Sequence, residues 1–128
     1  MSIIEVATEV RRPCRIVPER DLTLAPEVCI RMAEQYHLLC VKRPFVNRCM
    51  AAFTICTQAF PDVDLKIHPG KLHLVVLRQQ LMAFCRAVSS GDQRNSWKGI
   101  GRAFNCRHGT VINAHRIYGG AMERTLHG

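Results

Sequence analysis

Apolar residues recur along this chain at steps of three and four, and they nowhere alternate for long enough to build a strand. The pattern predicts an all-α protein with five helical stretches. The first begins after Thr23 or Ala25, where Pro26 suits the first helical position, and carries Val28, Met32, Tyr36 and Leu39 on its apolar face. Pro44 ends it. The second carries Val46, Cys49, Met50, Phe53, Cys56 and Phe60, and closes at Pro61-Asp62. The third starts near Pro69 and buries Leu74, Leu77, Leu81, Phe84, Cys85 and Val88, while Lys71, Arg78 and Arg86 point elsewhere. Ser89-Ser90-Gly91-Asp92 breaks it. Ser96 then caps a short helix with Trp97, Ile100 and Phe104 inward. A last helix runs from about His108 to Met122 with Val111, Ala114, Tyr118 and Met122 inward, and Gly119-Gly120 is expected to fray it or end it early.

This organisation makes residues 24–128 one helical domain, preceded by a tail over 1–23. In that tail Arg11, Arg12 and Arg15 sit among Pro13 and Pro18, as a solvated tail or as a basic arm that touches phosphate. A chain of 128 residues can bury one real core. Lys and Arg outnumber Asp and Glu by 18 to 10, and the formal charge of +8 suits a polyanionic partner. An acidic protein or an anionic membrane surface would also meet that charge. No apolar run is long enough to span a bilayer, so no membrane association through a spanning helix is expected. The seven cysteines stand singly, without a C-x-x-C pair, which argues against a disulfide framework or a structural zinc site and for a reduced, cytoplasmic setting. No cofactor is expected. No acid–base constellation can be assembled either, so an enzyme is not expected.

The chemistry concentrates near the C-terminus. Two helices joined by a tight turn, over about 96–122, are the arrangement of a helix-turn-helix, in which one helix enters the major groove and the other fixes its angle. Outward positions on the first are Lys98, Arg102 and Asn105. On the second they are Thr110, Asn113 and Arg116, with Arg107 and His108 at its start. This surface is rich in donors and has no carboxylate before Glu123. Two readings fit it: a DNA-reading face, and the solvated face of an ordinary helical hairpin. Trp97 is expected in the core, and Gly101 is expected to allow close helix packing.

The stretch IGRAFNCRHGTVINAHR, Ile100 to Arg116, resembles the signature of the C-terminal DNA-binding domain of the bacterial replication initiator DnaA, I-G-x-x-F followed by a turn and R-D-H-[ST]-T-V-x-x-A. LRQQLMAFCRAV, Leu77 to Val88, resembles the same domain's A-R-Q-x-A-M-x-L-x-R helix. VCIRMAEQYHLL resembles its opening helix more loosely. The likeness covers about residues 24–122 and is specific over 77–116. No G-x-x-x-x-G-K-[ST] loop is present, so the chain resembles a stand-alone relative of that one domain.

The resemblance implies double-stranded DNA binding with the last helix in the major groove. It also implies that basic residues before the central helix reach the minor groove. His108 matches the family His and Thr110 its second Thr. Arg107 stands where the family has Asp, Gly109 where it has the first Ser or Thr, and the turn is one residue shorter. An Asp accepts from cytosine N4, whereas an Arg prefers guanine O6 and N7, so the initiator's recognition sequence is not carried over. Lys71, with His68 and His73, replaces an Arg-rich loop. Arg78 and Gln79 match the family's R-Q pair, either positioning phosphate or holding the packing of the motif. The segment 43–67 has no counterpart and is a candidate partner-binding insertion.

The expected function is double-stranded DNA binding in control of transcription or replication, in a bacterial or phage nucleoid. DNA contacts are expected from Arg107, His108, Thr110, Asn113, Arg102, Lys98, Arg116, Lys71 and Arg78. The rival is an adaptor that keeps the fold, has lost base readout and binds replication-initiation proteins.

Overall fold

The computed structural model describes residues 18–128. The arginine cluster at Arg11, Arg12 and Arg15, read as tail or arm, lies outside the described residues. Among the described residues the chain is all-helical, with no strand. Helices α1 (Pro26–Lys42), α2 (Arg48–Ala59), α3 (Leu72–Ala87), α4 (Trp97–Ala103) and α5 (His108–His127) follow in order, with a 3₁₀ turn at Gly91–Gln93.

In α1, Pro26 opens the helix with Glu27 in its first turn and Lys42 in its last, charges that suit the helix dipole. Arg43 leaves helical geometry, at φ −129° and ψ 78°, because the Pro44 that follows disfavours it. The buried face is Cys29, Met32, Tyr36 and Cys40, while the expected Val28 and Leu39 are half-buried. The stripe is thus turned toward two cysteines that pack as small hydrophobes. In α2 the Asn47 side chain accepts a hydrogen bond from the Met50 N–H at 3.1 Å and caps the helix. Ala51, Ala52, Phe53, Ile55 and Cys56 are buried. Met50, expected inside, is 40% exposed, because the alanines let α2 approach its neighbours through the adjacent face.

Helix α3 is the centre of the molecule. Leu81, Met82, Ala83, Phe84 and Cys85 are five successive residues with no more than 1% exposure, so this stretch of the helix is covered on all sides, while its first turn at Leu72 is exposed. The expectation of one buried stripe was too narrow. It starts at Leu72 and not near Pro69, with Lys71 at the cap position. Cys56 and Cys85 bring their sulfurs within 3.8 Å in the core, and burial pushes the Cys85 thiol well up, which disfavours a reactive thiolate. Helix α5 lies along α3 and also packs on α1 and α4. It runs unbroken through Gly119-Gly120 to His127, against the expected early end. Gly119 is buried beside the His115 ring, and Gly120 faces the Glu19 side chain. Packing therefore offsets the poor helix propensity of the pair.

The chain before α1 is bound to this core. Arg20 N–H donates to the Ile117 carbonyl at 2.9 Å. Gln80, fully buried, accepts from the Thr23 and Leu24 N–H groups at 3.1 Å each, and its amide donates to Thr23 Oγ1 at 2.8 Å. The packed body therefore begins before residue 24. One apolar cluster contains residues from all five helices. No helix among the described residues is long and apolar enough to cross a membrane.

Candidate nucleic-acid interface

The approach to α4 is fixed by polar side chains. Asn95 is buried; its amide donates to the Cys85 carbonyl at 2.9 Å and its N–H to Ser89 Oγ at 2.8 Å. Arg86 donates to the Asn95 carbonyl at 2.6 Å and lays its guanidinium over the Trp97 ring, 3.9 Å from the centroid. Ser96 then caps α4, its hydroxyl accepting from the Gly99 N–H at 3.0 Å. Ile100, Ala103 and Phe104 are buried and Trp97 is half-buried against the core, so the apolar face is the one the spacing predicts.

Four residues, 104–107, separate α4 from α5. The Cys106 N–H returns to the Gly101 carbonyl at 2.8 Å and the Asn105 N–H to the Arg102 carbonyl at 3.3 Å. This is the paired bonding of a Schellman ending, and it requires a left-handed residue, here Asn105 at φ 58°. Asn105 therefore lies in the turn and not on α4 as expected. A Cβ on Gly101 would stand 2.8 Å from the Cys106 carbonyl oxygen, so the absence of a side chain there lets the turn fold back on α4.

Arg78 departs furthest from expectation. It is 5% exposed; its Nε donates to the Leu65 carbonyl at 2.9 Å and its Nη2 to the Phe104 carbonyl at 2.8 Å. Of the two roles left open for it, these bonds perform the packing one. The guanidinium ties the loop before α3 and the α4–α5 turn to the central helix, and is not turned to solvent.

The remaining candidates are exposed. Lys98 and Arg102 lie on α4, Arg107 at the cap of α5, His108, Thr110, Asn113 and Arg116 along α5, and Lys71 at the cap of α3. Arg107 is extended, at φ −75° and ψ 150°, and makes no capping bond with its side chain. The ion pairs among the described residues involve Arg94, Arg124 and His127, so none of these exposed basic groups is neutralised by one. From Trp97 to Met122 the chain carries no carboxylate. Thr110, Gln79, His68 and Pro69 share one small hollow, which sets the loop before α3 beside the first turn of α5.

Three side chains that shape this region escaped the sequence reading. Asn95 and Arg86 brace the start of α4. His115 lies behind it, its ring edge-on to Trp97 at 5.2 Å, with Nδ1 buried and unpartnered among the described residues. The only clue to Asn95 is its position just before the Ser96 cap. No group of three or more His, Cys, Asp or Glu suited to a metal occurs among the described residues. No protein-family model, curated protein or solved structure matches the chain.

Proposed function

We propose that this chain binds double-stranded DNA, with the first turns of α5 in the major groove and α4 across the backbone. The observation that carries this reading is the α4–turn–α5 unit. Its buried side is clamped to α3 through Arg78, and its outer side offers Lys98, Arg102, Arg107, His108, Thr110, Asn113 and Arg116 with no intervening carboxylate. A helix start presents its own free N–H groups in the same place. The loop carrying Lys71 lies beside that turn, where the resemblance to the DnaA domain puts the minor-groove contact. Control of transcription or replication is the role this binding would serve. Arg107 in place of the family's Asp keeps a second reading open, an adaptor for replication-initiation proteins that lacks base readout.

The test is a titration of random duplex DNA across salt concentrations, followed by binding-site selection. Log affinity should fall with log salt at roughly −0.9 per phosphate neutralised. Arg107→Ala should flatten the preference at one base pair, a loss of roughly 1–3 kcal/mol of discrimination. Lys98→Ala should weaken all sequences alike and make the slope shallower by about one unit. Absence of binding at low salt would refute the proposal and favour the adaptor.

A further inference from the structure

The α1–α2 hairpin carries a groove that no other part of the described chain fills. Its floor is apolar, with Leu38, Leu39, Met50, Ala51 and Ile55, and its volume is about 470 Å³. Leu38 is 59% exposed and Met50 40%. Phe45, in the connection between Arg43 and Val46, which both line the groove, is 100% exposed. Exposed apolar side chains grouped in this way mark an interaction surface.

The walls say what shape fits. On α1 the lining residues are Gln35, Leu38, Leu39 and Lys42; on α2 they are Met50 and, one residue on, Ala51, Thr54, Ile55 and Gln58. The α1 set, and the α2 set from Ala51 on, follow i, i+3, i+4, i+7, the ridge with which one helix receives another. A second hollow shares Gln35 and Gln58 and continues past Met32 to Val28, Arg31 and Phe60. From Val28 to Lys42 the trough runs about 21 Å, at 1.5 Å per residue, which accommodates a partner helix of about four turns.

Charge says what chemistry fits. Lys42 and Arg43 stand at one end of the trough and Arg31 at the other, and no carboxylate lines it; Glu27 and Glu34, the acidic residues of α1, do not take part. We infer that the α1–α2 hairpin docks an acidic amphipathic helix of another protein, apolar side chains in the trough and carboxylates toward Arg31, Lys42 and Arg43. The concave floor favours a ridge of side chains over the flat surface of a membrane. None of these residues belongs to α4 or α5, so the inference goes beyond the DNA-binding reading and stands or falls without it.

The probe is a labelled synthetic helix of about four turns with leucines at i, i+3, i+4 and i+7 and glutamates at both ends. A control peptide has every glutamate replaced by lysine. Both are titrated against the full chain by fluorescence anisotropy. The acidic peptide should bind at least about tenfold more tightly than the basic one, as opposite charges at the two ends require. Leu38→Ser and, separately, Arg43→Glu should each weaken it severalfold, with helical content unchanged. Arg43 lies in the connection, so its variant remains informative if Leu38→Ser fails to fold. Equal binding of the two peptides, or binding untouched by both variants, overturns the inference. So does a doubled mass by light scattering that Leu38→Ser abolishes, because a second copy then covers the trough. Binding to vesicles of anionic lipid lost in the same variants would assign the surface to membrane and overturn it equally.

Discussion

Arg78 shows how far one side chain's partners can depart from its polarity. A buried guanidinium is tolerated only where its donors are met, and here two main-chain carbonyls 13 and 26 residues away meet them. Arg78→Met fills similar space but strips Leu65 and Phe104 of their partner. Unfolding by denaturant should show a loss of roughly 1–3 kcal/mol, the cost of leaving a buried polar group unpaired. A phosphate contact would instead leave the unfolding midpoint alone and flatten only the salt dependence of DNA binding. His115 offers a second residue-level test. Burial lowers its pKa first, the Arg94 charge lowers it further, Glu123 pulls it the other way, and Arg86 adds a small push downward. The unfolded chain then takes up a proton near 6.5 that the folded chain resists until lower pH. Stability from this group is complete above 6.5, declines as pH falls through that value, and levels off below the folded pKa. His115→Phe, which keeps a ring against Trp97, should remove that part of the pH dependence of the thermal midpoint. An unchanged profile would mean that other groups set it.

At the scale of elements, the short α4 depends on its ending more than on its length. Seven residues are too few to hold a helix alone, so capping at Ser96 and the return of Cys106 to Gly101 carry it. Gly101→Ala would gain about 1 kcal/mol of helix propensity. It would also press a methyl against the Cys106 carbonyl, at a cost of roughly 1–3 kcal/mol. The variant should be destabilised in urea, whereas Gly109→Ala, which meets nothing within 4 Å, should be neutral or better. If both behave alike, the turn has room the geometry denies. The five helices themselves are legible in the apolar spacing, as are the Ser96 cap and the inward set of α4. Their rotations are less so. Cys29 and Cys40 replaced Val28 and Leu39 in the α1 core, and Met50 lost its place to alanines, because the choice between adjacent faces depends on how closely neighbours approach. The Gly119-Gly120 break failed for the same reason: propensity is local, and the packing that overrode it is not.

For the whole molecule, what the sequence conceals is long-range polar bonding. The attachment of residues 20–24 to Ile117 and Gln80 joins segments 56 to 97 positions apart, and no periodicity signals it. Gln80 itself sits amid a helix pattern in which a glutamine reads as solvent-facing. The candidate interface was legible where it is exposed, since outward positions follow from the helix period. It was illegible where polar residues turn inward, as at Arg78, Asn95 and His115. Of the α1–α2 trough, only the α2 wall and the connection before it fall in the segment without counterpart, 43–67.

The position of α5 has a thermodynamic consequence. Its first turn is open to solvent, yet its later turns are enclosed by α1, α3 and α4. The backbone beneath Arg107, His108 and Thr110 has therefore already lost its conformational freedom when the chain folds. A partner meeting that turn would have to immobilise side chains only, each costing about 0.5–1.5 kcal/mol, and no main chain. Association at this end of the molecule would then resemble the meeting of two preformed surfaces, with little of the entropic penalty and slow rearrangement that accompany a segment folding as it binds.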